Sequence, residues 1–244
     1  MVNIGLLECD HVIERFRHLA GDYREMFAAL LDRHAPHLSL ECFDVCNGEL
    51  PASLDACDAY LCTGSRSSVY DDVGWIHSLK DFVRRAYEAG RPFVGVCFGH
   101  QMLAEALGGK TAMARQGWGV GIHCVEVVRP EAWMQPSQAS YKLQFMHQDQ
   151  VERLPEHGVL LGHSDHCPVA MFRVGRTMLG IQAHPEFPVA YSEALLVDRT
   201  ERIGAERVQT AQASLNQATD EGVIAKWIAK FLAQAASTNT SSVA

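Results

Sequence analysis

From Val2 to Gly109 the chain alternates short apolar runs with amphipathic stretches, and that order leaves few folds open. Val2–Leu7, Leu38–Val45, Ala59–Cys62 and Pro92–Val96 read as strands. Tyr23, Met26, Phe27, Leu30, Leu31 and His34 share one helical face, and Pro36 closes it. Ile76, Leu79, Phe82, Val83, Ala86 and Tyr87 share another, with Gly90 placed to terminate it. Met102, Leu103, Ala106 and Leu107 mark a third helix, which stops at Gly108-Gly109. Such an order predicts a largely parallel sheet with helices on both faces. Sheets of that kind carry their sites at the carboxyl ends of the strands.

From Gly119 to about Gln182 the pattern changes to short β-like runs, at Gly121–Val128, Val159–Gly162, Val169–Val174 and Met178–Ile181. Helical patterning then returns, with Val223, Ile224, Trp227, Ile228, Phe231 and Leu232 on the last face. No internal repeat or linker divides the chain, so one α/β domain is expected over residues 1–236, with a disordered polar tail at 237–244. At 48% hydrophobic and 20% charged, the 244 residues supply enough apolar mass for a real core. The net charge of −8 offers no basic surface, so no nucleic-acid partner is expected. No run approaches the roughly 18 apolar residues of a membrane span. The N-terminus also lacks a basic segment leading into a long apolar one, so a cytoplasmic protein is expected, with no membrane partner.

Eight cysteines occur without a C-x-x-C pair, and a chain of this size does not depend on a disulfide framework. Most are expected to be reduced, buried apolar groups. Cys97 differs. Gly95-Val96-Cys97-Phe98-Gly99 places a cysteine between an apolar strand and a helix in the form G-x-C-x-G. That is a nucleophile elbow with cysteine in place of serine. The turn holds the nucleophile in a strained conformation, the glycines prevent clashes, and the helix N-terminus stabilises a thiolate. A structural reading, a buried cysteine in a glycine-rich turn, stands beside the catalytic one.

A cysteine nucleophile needs a base, and the base an orienting group. Gln182-Ala183-His184-Pro185-Glu186-Phe187 follows an apolar strand, and Pro185 stiffens the spacing of His184 and Glu186. In an extended segment both side chains can emerge at the end of the sheet, with Glu186 holding the imidazole as in a nucleophile–His–acid triad. A plain loop histidine beside a surface carboxylate is the alternative.

Four stretches together resemble the class I, or triad, glutamine amidotransferases. They are Thr63-Gly64-Ser65, Gly95-Val96-Cys97-Phe98-Gly99-His100-Gln101, Met146-His147-Gln148-Asp149 and Gln182-Ala183-His184-Pro185-Glu186. The resemblance implies a flavodoxin-like three-layer sandwich with a mainly parallel central sheet. It also implies hydrolysis of a γ-glutamyl amide, glutamine or a γ-glutamyl peptide, through a γ-glutamyl thioester. Cys97 would attack, His184 would protonate the leaving amine and activate water, and Glu186 would orient His184. Gly64 and Phe98 would supply the oxyanion N–H groups. Ser65, Gln101, Met146 and His147 would bind substrate. The partner is a small-molecule substrate, and no cofactor or metal is required.

Departures point to a divergent branch. Many members carry serine at Met146, glycine at Gln148 and Gly-Gly-Pro at Thr63-Gly64-Ser65. The loop through Asp72 looks like the stand-alone branch similar to the amidotransferase domain of GMP synthetase, which includes γ-glutamyl peptidases. The chain leaves no room for a synthetase domain after the triad. Either it hydrolyses its substrate, or a separate synthetase subunit receives the ammonia. A non-catalytic or regulatory module on the same fold is a further alternative.

Other motifs have duller readings. In His163-Ser164-Asp165-His166-Cys167 the ligands are adjacent rather than spaced for a metal, so a loop role is expected. Cys42 and Cys46 would face one side of a strand, which favours core packing over zinc. Gly108-Gly109-Lys110-Thr111 lacks the upstream glycine of a phosphate loop. Trp118, Tyr141 and Phe145 read as core or pocket wall.

Overall fold

In the computed structural model, which describes residues 2–240 and the side chains of 2–235, β1 (Val2–Glu8) lies between β2 (Leu38–Asp44) and β3 (Ala59–Cys62), parallel to both. β4 (Phe93–Val96) adds parallel beside β3, and β11 (Met178–Ile181) parallel beside β4. From β11 outward the pairing becomes antiparallel, through β10 (Met171–Val174), β9 (Gly158–His163), β6 (Gly119–Val127) and β7 (Ser140–His147). The order is β2-β1-β3-β4-β11-β10-β9-β6-β7. Only β10 and β6 run against the remaining strands of this sheet, so it is mainly parallel as expected. β5 (Lys110–Met113) and β8 (Asp149–Arg153) form a separate antiparallel ribbon.

A strand buried on both faces sends alternate side chains into two cores. Ile4, Leu6, Leu61, Val94, Leu179 and Ile181 enter one core, under α2 (Tyr23–His34) and α8 (Glu221–Thr240). Their chain neighbours Leu7, Tyr60, Cys62, Phe93 and Met178 enter the other, under α3 (Gly74–Glu88) and α4 (Phe98–Ala106). Those two cores make the three layers. Asp22 and Glu25 close a capping box at the start of α2, just after the short α1 (Arg17–Ala20). α3 ends at Gly90, where the N–H of Arg91 reaches the carbonyl of Ala86.

A third apolar cluster covers the β6–β7 end. Trp118, Val120 and Met146 pack there against Tyr191 and Leu195 of α5 (Val189–Asp198) and Val208 of α7 (Ala205–Ser214), with α6 (Thr200–Ile203) between those helices. No helix of the described residues is long and apolar enough to cross a membrane.

Three differences from the sequence reading stand out. β5, β7 and β8 lie where no strand was expected. Cys42 and Cys46 do not share a core face: β2 ends at Asp44, so the alternation stops before Cys46, and Cys42 points to solvent. The backbone of α8 runs to Thr240, into the expected tail; residues 241–244 lie outside the described residues.

Candidate active site

β4 delivers Cys97 at its carboxyl end. The Cys97 N–H still donates to the Ile181 carbonyl of β11 at 2.9 Å, so the elbow begins on the sheet ladder. There the chain turns with φ 52° and ψ −100° at Cys97, a combination L-residues rarely adopt. The flanking glycines have steric causes. A Cβ on Gly95 would lie 2.2 Å from the Gly99 carbonyl oxygen, and one on Gly99 would lie 2.6 Å from that of Cys62. α4 can therefore sit directly against β3 and β4. Its first N–H belongs to Phe98, and first-turn N–H groups have no acceptor within their own helix.

His184 follows the neighbouring strand. β11 and β4 pair in register at Ile181 and Val96, which sets the two strand ends side by side. The His184 N–H donates to the Gln144 carbonyl of β7 at 2.8 Å, and Gln144 Nε2 donates to the Phe187 carbonyl at 2.8 Å. Gln144 thus clamps both ends of the His-Pro-Glu segment. The imidazole stacks on Phe187, centroids 3.8 Å apart and planes 11° apart. Its Nδ1 lies 2.8 Å from Glu186 Oε1, and both residues are buried. The Cys97 sulfur lies close enough to the same ring to act on its charge.

Burial disfavours a charged imidazole, yet the Glu186 carboxylate and the Cys97 sulfur outweigh it and raise His184 to about 10. The other two buried histidines nearby lack a carboxylate. Burial pushes His100 down to about 3, and burial with the neighbouring His166 and His123 pushes His147 well below its ordinary value.

A cleft of about 270 Å³ opens over Cys97. Ser65, Gln101, Met146 and His147 line it. Gly64 stands beside the pair: a Cβ there would lie 3.0 Å from His184 Cε1 and 3.7 Å from Cys97 Cβ. Its loop is pinned from β1. Thr63 Oγ1 accepts from the Cys9 N–H at 3.0 Å, and the Asp10 carboxylate accepts from the Arg66 N–H at 2.8 Å and from its guanidinium. Gln101 Nε2 donates to the Asp149 carbonyl at 2.6 Å and to Gln182 Oε1 at 3.2 Å, tying α4 to β8 and the strand end after β11. Every residue expected at the site from sequence therefore lies in this one region.

Sequence reasoning missed Gln144, Asp149, Arg199 and Arg202. Gln144 lies in β7, whose mixed polar and apolar sequence gives no strand signal. Asp149 lines the cleft with its carboxylate accepting from Ser68 Oγ at 2.5 Å. Arg199 and Arg202 reach the cleft from the helical C-terminal part, where no local motif marks them.

Comparison with known proteins gives concordant matches. The family model described as "Glutamine amidotransferase class-I" matches residues 48–198. Gamma-glutamyl peptidase 4 of Arabidopsis thaliana is 31% identical, over 75% of this chain and 73% of its own. GMP synthase [glutamine-hydrolyzing] of Streptococcus mutans is 31% identical, over 55% of this chain and 26% of its own. Among solved structures, a glutamine amidotransferase of Thermotoga maritima superposes with a TM-score of 0.73, 18% identity and 96% coverage of both chains.

Proposed function

The chain belongs to the class I glutamine amidotransferase family, and from that premise we propose that it hydrolyses a γ-glutamyl amide bond through a thioester on Cys97. The observation that carries the reading is the Cys97–His184–Glu186 arrangement at the ends of two paired strands. The raised value of His184 keeps a protonated imidazole beside the Cys97 sulfur. The Cys97 sulfur attacks the γ-carbonyl carbon, and the N–H groups of Phe98 and Gly64 receive the oxyanion. As the tetrahedral species collapses, the C–N bond breaks and His184 gives its proton to the leaving nitrogen. Neutral His184 then takes a proton from water, whose oxygen attacks the thioester. The C–S bond breaks, glutamate leaves, and thiolate and imidazolium are restored. Glu186 holds Nδ1 and keeps Nε2 turned to the thiol. Ser65, Gln101 and the Met146–His147 segment hold the α-amino and α-carboxyl groups of the glutamyl unit.

The match to a gamma-glutamyl peptidase over three quarters of the chain favours hydrolysis as the whole reaction. The GMP synthase match supports a second reading, in which the released ammonia passes to a separate synthetase subunit. The test is glutamate release from glutamine and from γ-glutamyl dipeptides, with Cys97→Ala as control. Release that is lost in the variant is expected. Release that survives it would remove Cys97 from the chemistry, and a stoichiometric synthetase copurifying with a protein inactive alone would favour the second reading.

A further inference from the structure

Trp118 sits one residue before Gly119, which pairs with His147, and lines the cleft wall together with Gln148. The Arg202 guanidinium is stacked over that indole, 5.3 Å from its centroid. Arg199, three residues earlier, lines the same cleft. The two cations differ from their neighbours. Arg66 is paired with Asp10 and Arg15 with Asp198, whereas among the described residues no carboxylate lies within ion-pair distance of Arg199 or Arg202. The carboxylate lining the cleft, Asp149, is held by Ser68 and lies next to Met113 across the β5–β8 ribbon. A cleft with two uncompensated guanidinium groups attracts an anion, and a guanidinium stacked on a ring keeps its edge N–H groups free to fork onto a carboxylate.

The side of the substrate they face follows from His184. The scissile nitrogen must lie against that imidazole to receive its proton. Phe187 is stacked on His184 and edge-on to Tyr191 of α5, and Tyr191 lies within electrostatic reach of Arg199, which sets that arginine on the His184 side of the cleft. Resting on the γ-glutamyl hydrolase reading above, we propose that Arg199 and Arg202 form a subsite for a carboxylate on the leaving amine. The preferred substrate is then a γ-glutamyl peptide whose amine-side residue ends in a free carboxylate, and glutamine, which lacks one there, is the poorer substrate.

The experiment compares γ-glutamyl-alanine, its C-terminal amide and glutamine as substrates of the wild type, Arg199→Gln, Arg202→Gln and the double variant. Each arginine is expected to be worth roughly tenfold in kcat/KM on the free acid, through KM, the scale of a hydrogen bond to a charged group. The amide and glutamine should change little. Equal losses on all three substrates would show that the arginines hold the glutamyl unit's own carboxylate, and would overturn the proposal; so would an unchanged free acid. Binding of γ-glutamyl-alanine and its amide to Cys97→Ala, with and without the arginine substitutions, separates this idea from the catalytic one. If the wild type turns over no substrate, the hydrolase reading fails. The subsite then stands only if the free acid binds more tightly than the amide and the arginine substitutions erase that preference.

Discussion

At the scale of single residues, the protonation of His184 controls the candidate chemistry. Its folded value, about 10, lies above the ordinary 6.5 because Glu186 and Cys97 outweigh burial. The sign follows directly. Stability from the charged pair is complete below about 6.5 and is lost as pH rises through about 10. The acylating form is lost over the same rise, so kcat/KM is expected to hold through neutrality and fall in an alkaline limb near pH 10. Glu186→Gln removes the charge that supports the imidazolium. Its limb is expected to move to lower pH, with kcat down on the order of 10⁴-fold, as when the acid of such a triad becomes an amide. A pH–rate profile of the two proteins decides it, and a limb that does not move would exclude Glu186 as the supporting charge.

At the scale of elements, the site depends on two strand ends and one clamp. Gln144 touches the His-Pro-Glu segment at both ends but does not face the thiol's substrate pocket. Gln144→Ala is expected to lower kcat about tenfold, the effect of losing roughly 1.4 kcal/mol of positioning hydrogen bond, with KM nearly unchanged. Steady-state kinetics on any accepted γ-glutamyl substrate measure the split, and a rise in KM at constant kcat would assign Gln144 to substrate binding instead. The strands that carry the site were legible in sequence because they are short apolar runs ended by glycine, proline or a motif. β7 was not. In Ser140–His147 the inward Tyr141, Leu143 and Phe145 alternate with Lys142 and Gln144, and the buried Gln144 is a polar group on an edge strand, where it bridges to His184. β5 and β8 carry a lysine, two acids and an arginine over nine positions, since a ribbon outside the main sheet has little apolar surface to hide. Cys97, His184 and Glu186 could be read because turn geometry demands particular residues near each other in sequence. Arg199 and Arg202 could not, because an arginine on a helix is ordinary until tertiary folding brings that helix across a cleft.

At the scale of the whole molecule, the elbow sits between the two cores. α3 packs in one with α4, which starts at the elbow, whereas α2 and α8 share the other with the Cys97 side chain. Trp227 of α8 is fully buried, meets Trp133 and Tyr141 edge-on, and donates its indole N–H to the Pro136 carbonyl at 2.9 Å. Trp227→Ala is expected to cost about 3–5 kcal/mol of stability in urea titrations, as for other buried tryptophans, with kcat/KM of the remaining folded protein unaffected. A large fall in kcat/KM at full folding would mean that packing around Trp227 is transmitted through this shared core to Cys97. The position of β11 has one more consequence, in the order of synthesis. The strand that pairs with β4 and leads to His184 is the last made of the nine, yet it lies in the middle of the sheet. A chain emerging from the ribosome carries Cys97 long before the strand that sets His184 beside it, so the Cys97–His184 pair can form only once the last strand has been made.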